Sequence, residues 1–342
     1  MKRIILVCLF LLAFSSNLPA QAPFYQGNTI KIVAGTAAGS VYDQYARLIA
    51  QHMPKYIAGN PNIIVQNMPG AASMVAANYV YNVAKPDGLT LGSIQPSLYF
   101  EQLAGRKEVQ FDWAKFSWIG STTQSNHLLY MRTDAPFKTI HDVRKASEPP
   151  KCGSEGTSSP AYYVPKLIEE TIGTKFNIVV GYQAGTDVDL AVERGEVQCR
   201  SFTIAAFFAR EPFNTWRKKE FVRVLVQTGR KRDPKLPDVP TIYELMDQYK
   251  SAEAARRLAT VILAAGDLGR PIVASPAIPG ERLKVLRDAF MKTMNDPDAL
   301  AEARNRNLEI LPTPGQELEA IAKEVIVQPP ETVERVKKIM GN

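Results

Sequence analysis

The chain has 342 residues, of which 45% are apolar and 22% charged. That composition excludes a disordered tail or a coiled coil, and the length suits about two domains. Lys and Arg number 41 against 34 Asp and Glu, a net charge of +7, which points toward an anionic partner. With three cysteines and three histidines, neither a disulfide framework nor a Cys-rich zinc site can be assembled.

Lys2 and Arg3 precede an apolar run from Ile4 to Phe14, and Pro19-Ala20-Gln21-Ala22 follows. The run is too short to span a bilayer, which needs about 20 residues. Residues 1–22 therefore read as a secretory signal peptide. Cleavage is placed near Ala20 or Ala22, with Pro23 disfavouring the second. Loss of Lys2 and Arg3 leaves +5 on the exported chain. Export also removes Cys8, leaving Cys152 and Cys199 in an oxidising compartment. A disulfide between them and two buried free thiols both remain open.

Thr29 to Ala34 is a β-rich run, and Gly35 to Gly39 a loop. Ser40 to about Tyr56 reads as a helix, with Ser40 as N-cap and Asp43 completing a capping box. Asn62 to Gln66 is a second strand, Ser73 to Val83 a helix, and Leu89 to Ile94 a third strand. Strand alternating with helix predicts a parallel sheet covered by helices.

The pattern then restarts. Trp118 to Arg132 contains a longer extended stretch, and Ile140 to Ala146 reads as a short helix. A strand ends at Lys151–Gly153, and Ser159-Pro160 opens a helix that Gly173 closes. Phe176 to Val180 is a strand. Thr186 to Arg194 is a helix, with Thr186 and Asp189 as its capping box and Gly195 as its stop. Val197 to Phe202 and Phe221 to Gln227 are strands. After the charged loop Arg230–Pro240, helices follow over 242–249, 252–259, 279–295, 297–307 and 315–327, with a short strand at Pro271–Ser275. The expected architecture is α/β and two-lobed, each lobe a mostly parallel sheet flanked by helices. The lobes are residues 23–122 plus 229–342, and residues 123–228.

Four loops repeat one device, a strand ending in small residues that open a helix: Gly35–Ser40, Pro69–Ser73, Gly153–Ser159 and Gly185-Thr186. Exposed amides and the helix dipole at such ends hold carboxylates or phosphates without a cationic side chain. In open α/β sheets these loops line the ligand crevice. Each loop is also explicable as an ordinary connection. Asp43 and Asp189 suit helix caps, and Asp187 suits the first turn of a helix with or without a ligand. Glu155 is awkward in an anion loop because it would repel a carboxylate.

Dinucleotide, P-loop, nucleophile-elbow and zinc-protease signatures are all missing. No enzyme, no cofactor and no metal are expected. His52, His127 and His141 have no metal-ligand spacing. The clusters Arg217–Lys219 and Arg230–Arg232 read as solvated loops, and nucleic acid is excluded as partner.

Taken in order, Ile32-Val-Ala-Gly35, Tyr42-Asp43, Ala46-Arg47, Val65-Gln-Asn-Met-Pro-Gly-Ala71, Lys85-Pro-Asp-Gly88, Gly153-Ser-x-Gly156, Gly181-Tyr-x-x-Gly185-Thr-Asp187, Glu193-Arg-Gly-Glu-Val197 and Leu236-Pro-Asp-Val-Pro-Thr241 resemble one family. It is the periplasmic solute-binding receptors of tripartite tricarboxylate transporters, the Bug-type receptors. The resemblance covers nearly the whole exported chain. It implies a type II-like, two-lobed periplasmic binding protein that works as a monomer. Such a protein closes on a small organic acid, gripping a carboxylate mainly through loop amides. It would deliver the ligand to a membrane permease of large and small integral subunits. Carried over by position, the binding residues are Thr36, Ala37, Gly39, Ser40, Tyr42, Gly70, Ala71, Ala72, Ser73, Ser154, Gly156, Thr157, Ser158, Gly185, Thr186 and Asp187.

Two departures stand out. Ala38-Gly39-Ser40-Val41 replaces the family's Pro-Gly-Gly-Gly, and Cys152 stands where an aromatic residue or glycine is frequent. A sensing receptor that feeds a membrane histidine kinase would need the same cleft. An exported hydrolase using Ser154 or Ser158 is the remaining alternative.

Overall fold

The computed structural model describes residues 23–156, 159–182 and 185–340; the expected signal peptide lies outside them, as do Thr157 and Ser158. The first unit runs β1 (Thr29–Ala34), α1 (Val41–His52), β2 (Asn62–Asn67), α2 (Met74–Asn78), β3 (Thr90–Ser93), α3 (Leu98–Leu103) and β4 (Ser117–Ser121). The second runs β5 (His127–Arg132), α4 (Ile140–Lys145), β6 (Lys151–Ser154), α5 (Pro160–Ile172), β7 (Asn177–Val180), α6 (Gly185–Arg194), β8 (Cys199–Thr203), α7 (Ile204–Ala209), α8 (Phe213–Lys218) and β9 (Val222–Gln227). The chain then adds α9 (Ile242–Gln248), α10 (Glu253–Leu268), β10 (Pro271–Ala274), α11 (Gly280–Met294), α12 (Pro297–Asn305), β11 (Thr313–Pro314), α13 (Gly315–Ile326) and α14 (Pro330–Met340).

The strands form two sheets. One has the order β11-β4-β10-β3-β1-β2 and the other β7-β6-β8-β5-β9. Both are mixed, which corrects the expectation of mostly parallel sheets. The pairs β1–β2, β1–β3, β6–β7 and β6–β8 are parallel. β10 and β5, by contrast, pair antiparallel with both of their neighbours. The antiparallel strands are the ones on either side of the passages between sheets. The span Trp118–Arg132 holds parts of two strands, β4 and β5, in different sheets, and residues 122–126 carry the chain across.

That passage is closely packed. A side chain on Gly269, whose φ is +62°, would lie 1.9 Å from the Thr123 carbonyl oxygen, and one on Gly266 would lie 2.8 Å from Asn126 Oδ1. Only glycine fits at 269, while a side chain at 266 would have to displace the Asn126 amide. The Arg230 guanidinium braces the return crossing on Asp267 at 3.1 Å and on Glu324 at 2.6 Å. Burial pushes the Asp267 carboxyl up to about 6 against the lowering pull of Arg230.

One apolar core spans both sheets, from Val33, Trp118 and Val273 to Leu129, Cys152 and Cys199, with α10 residues Leu258, Val261 and Leu268 between them. A second cluster, around Ile30, Ile32, Ile272 and Phe290, seals the far face of the first sheet. The C-terminal helices therefore return to the first sheet, and α10 and α14 also pack on α5.

Candidate ligand-binding cleft

The predicted loops all follow parallel strands: β1, β2, β6 and β7. Parallel register puts the ends of neighbouring strands side by side, so the loops of each sheet fall into a pair. Each pair is tied together by side chains.

In the first pair, Ser73 Oγ is fully buried and donates to the Gly35 carbonyl at 3.0 Å. Asn67 Nδ2 donates to the Thr36 carbonyl at 3.0 Å and to Asp43 Oδ1 at 2.9 Å. Ser40 caps α1 by accepting from the Asp43 amide, and its hydroxyl lies 2.6 Å from Thr36 Oγ1. Asp43 accepts from the Gly39 amide at 2.8 Å and from Arg47 at 2.9 Å. Burial raises its pKa, but the bonds from Arg47, Gly39 and Asn67 outweigh burial and hold the carboxyl below its usual range. Half of the expected capping box is present: the Asp43 carboxylate takes the Gly39 amide in place of that of Ser40.

The departure from Pro-Gly-Gly-Gly is accommodated, because only Gly39 has a left-handed φ, +79°, while Ser40 sits at −64° and Val41 is already helical. The second loop is less relaxed. Ala71, Ala72 and Ser73 follow one another at φ +42°, +50° and +75°, each costing roughly 1–2 kcal/mol for a residue with a Cβ. Ser73 does not cap α2, which starts at Met74. Its hydroxyl instead pins this strained turn to Gly35, where a side chain would come within 2.5 Å of Ser73 Cβ. Replacing Ser73 by alanine is expected to cost about 1–2 kcal/mol, since the Gly35 carbonyl loses a buried donor; urea unfolding measures it.

In the second pair, Ser154 is buried and its hydroxyl donates to the Gly156 carbonyl at 3.0 Å. Thr157 and Ser158 lie outside the described residues. Gly185 opens α6, followed by Thr186 and Asp187 in its first turn. Arg200 on β8 joins the two loops. Its guanidinium donates to the Gly185 carbonyl at 3.0 Å, Glu155 Oε1 at 2.8 Å and Asp189 Oδ1 at 2.5 Å. A side chain on Gly185 would come within 2.3 Å of that guanidinium.

Two sequence readings change here. Asp189 is no capping residue: its side chain is 5% exposed and is held by Arg200 and by the Tyr130 hydroxyl at 3.2 Å. The Glu155 carboxylate is engaged by Arg200 and by the Ser159 hydroxyl, each at 2.8 Å, which weakens the repulsion the sequence suggested. Burial raises the Glu155 pKa, but hydrogen bonds from the backbone, Ser159 and Arg200 outweigh it and leave the carboxyl below its usual range. At Asp189 burial wins, and its pKa is raised despite Arg200. Arg200 itself gave no sequence signal, because its partners stand 11 and 45 positions away.

Between the sheets lies a cavity of about 140 Å³, lined by Tyr42, Pro96, Ser125, His127, Tyr163 and Gly266 among others. Among the described residues, Tyr42 is the only predicted site residue on its wall. Burial pushes the Tyr42 phenol up, partly opposed by Arg270, whose guanidinium carbon stands 4.8 Å from the ring centroid. Burial also pushes His127 down to about 4, so at neutral pH its ring offers hydrogen bonds without charge. His127 and Tyr163 were not picked out from the sequence; they become neighbours only because β5 and α5 pack together.

Two mixed α/β units, joined by two crossings and carrying paired loops at the ends of parallel strands, make the two-lobed fold of periplasmic binding proteins. A ligand-free TctC solute-binding protein from Polaromonas superposes with a TM-score of 0.71 at 18% identity, covering 93% of this chain and 99% of that one. The periplasmic binding protein BugD gives 0.50 at 19% identity over 92% and 98%, and R. palustris Rpa4515 with adipate gives 0.51 at 19% over 92% and 97%. The tripartite tricarboxylate transporter family receptor profile matches residues 45–338, and the chain belongs to that family of substrate-binding receptors.

Relatives include a UPF0065 protein from the gbd 5′ region of Cupriavidus necator, 26% identical over 82% of this chain and 78% of its own length. Another, from the TAR-I ttuE-ttuC′ intergenic region of Agrobacterium vitis, is 28% identical over 64% of this chain. That match spans 62% of the relative's length.

Proposed function

We propose that the chain is a periplasmic solute receptor that binds a small organic acid between its lobes and delivers it to a tripartite membrane permease. Residues 1–22 are its export signal. The moving bodies are residues 23–122 with 229–342, and residues 123–228. The observation that carries the reading is the paired-loop arrangement. Ser73 and Asn67 in one lobe, and Arg200 in the other, fix four amide-rich turns at strand ends, while carboxylates that would oppose an anion are engaged by neighbouring groups. Family membership and the adipate in a structural neighbour support the same class of ligand.

Within this reading the ligand carboxylate is held by amides of residues 36–42, 70–73, 154–158 and 185–187, with Thr36, Ser40, Tyr42, Thr157, Ser158, Thr186 and Asp187 adding side-chain contacts. A ligand that binds both lobes favours the closed arrangement by its differential affinity for it. Calorimetry against adipate, malate, citrate and aromatic acids, paired with small-angle scattering, tests this. We expect at least one carboxylate to bind with a Kd below about 1 mM and to reduce the radius of gyration. Gly39→Val, which forces a β-branched residue to positive φ, and Asp187→Ala should weaken that binding. The absence of both binding and compaction would sink the proposal.

A further inference from the structure

The two crossings between the lobes meet at one carboxylate. Asp267 stands near the end of α10, and its side chain is 3% exposed. The first crossing packs on either side of it. The Ser125 amide donates to the Gly266 carbonyl at 2.8 Å, and the Arg270 amide donates to the Thr123 carbonyl at 3.1 Å. The second crossing reaches it through Arg230, by backbone and by guanidinium. The crossings also touch each other, since a side chain on Gly229 would come within 2.7 Å of Asn126 Nδ2. A change in the angle between the lobes must turn these segments, and with them the packing that buries Asp267.

Charged and titratable groups face Asp267 from several elements. Arg230 comes from the second crossing, Tyr99 from α3, Tyr243 from α9 and Glu317 from α13, with Glu324 behind Arg230. His127 of β5 and Tyr163 of α5 stand at the cavity beside Gly266. Residues 122–126 bring no ionisable side chain. Burial raises the three phenols and lowers His127 to about 4, so none of these four changes charge between about pH 5 and pH 7.5. Arg230 stays charged throughout. At Asp267 burial outweighs Arg230. At neutral pH the carboxylate is therefore ionised in a place that favours its neutral form.

We propose that Asp267 makes the arrangement of the lobes respond to pH. The inference rests on the lobes moving as the receptor reading requires. Ionised, Asp267 weakens the close-packed hinge described above and favours an arrangement that admits water to it. Protonated, it leaves the hinge closed around it. Full hydration would return the carboxyl from about 6 to its ordinary value of 3.8. The balance between the two arrangements then shifts by at most about 10-fold between pH 5 and pH 7.5.

Nitroxide labels on Lys218→Cys of α8 and Lys284→Cys of α11, both exposed positions, read the distance between lobes in the exported chain by pulsed spin resonance. The parent is expected to show one main distance at pH 5 and to move weight to a second at pH 7.5. Asp267→Asn should keep the pH 5 distribution at both values. Arg230→Gln, which removes the pull that opposes burial, should move the midpoint above pH 6, and Glu324→Gln should keep the response. The proposal is overturned if the parent gives the same distances at both pH values, if Asp267→Asn responds like the parent, or if pH moves the melting temperature alone. Should Asp267→Asn fold poorly, the direction of the Arg230→Gln midpoint decides. Adipate added at pH 7.5 separates the two readings. A distance that answers to adipate and not to pH defeats this inference alone, and one that answers to pH and not to adipate counts against the ligand reading alone.

Discussion

Replacing Arg200 by glutamine is expected to cost about 3–5 kcal/mol at neutral pH, the penalty for removing one partner from a buried ion pair. The guanidinium is 3% exposed and faces two carboxylates, Asp189 and Glu155. Without it, Asp189, whose pKa burial already raises, loses the main influence that opposes burial, and its folded-state pKa rises further above the unfolded one. For a carboxyl raised on folding, stability is full below the unfolded pKa and is lost as pH climbs through the folded pKa. The deficit of Arg200→Gln should therefore be largest near pH 7 and shrink toward pH 4, as Asp189 takes up a proton. Urea denaturation at the two pH values measures this, and equal deficits would contradict it. Adding Asp189→Asn should restore part of the loss at pH 7. Ligand affinity should fall with stability, because the same guanidinium holds Gly185 and Glu155 in register.

The second large effect concerns the two cysteines of the exported chain. Cys152 and Cys199 are register partners on the adjacent parallel strands β6 and β8, their Cα atoms 4.5 Å apart, and they form a disulfide. This settles the question that the sequence left open. The bond closes a loop across 47 positions, for which loss of unfolded-chain entropy predicts about 4 kcal/mol. The double variant Cys152→Ala, Cys199→Ala is expected to lose about 2–4 kcal/mol, and unfolding of the parent in reductant should show the same loss. A variant as stable as the oxidised parent would show that the strands hold each other without the bond. The disulfide stands just before the Ser154–Gly156 turn on β6 and just before Arg200 on β8, the residue that ties the second pair of turns together.

Much of the local structure was readable from residue pattern. Ser40 before Val41, Pro160 after Ser159 and Gly173 after Ile172 are local signals, and each marks an observed helix boundary. The sequence reading ended one helix at Ala259, whereas α10 runs to Leu268. Its second half, from Val261 to Ala264, is buried on successive positions, so no polar face exists to give a period. α7 and α8 were missed because six residues are too few to display one, although Phe207, Phe213 and Trp216 form a core with Tyr130. α14 was missed as well, behind the Pro329-Pro330 break. The four candidate loops were legible, since small residues and caps are local features. The ties among the loops were not, because Arg200, Glu155 and Asp189 meet only after three strands have been ordered. The same holds for His127 and Tyr163, which share a cavity wall through tertiary packing alone.

The turn at Ala71–Ser73 has a consequence for anyone who would improve this protein. Three successive left-handed residues, two of them alanine, hold free energy that glycine would release. Ordinarily glycine loosens a chain; here it would relax the native backbone while enlarging the unfolded ensemble, and the first effect opposes the second. Selection for heat resistance alone would be drawn to these positions. The variants it collected would trade a fixed array of amides for a pliant one, and their cost would surface only in a ligand assay.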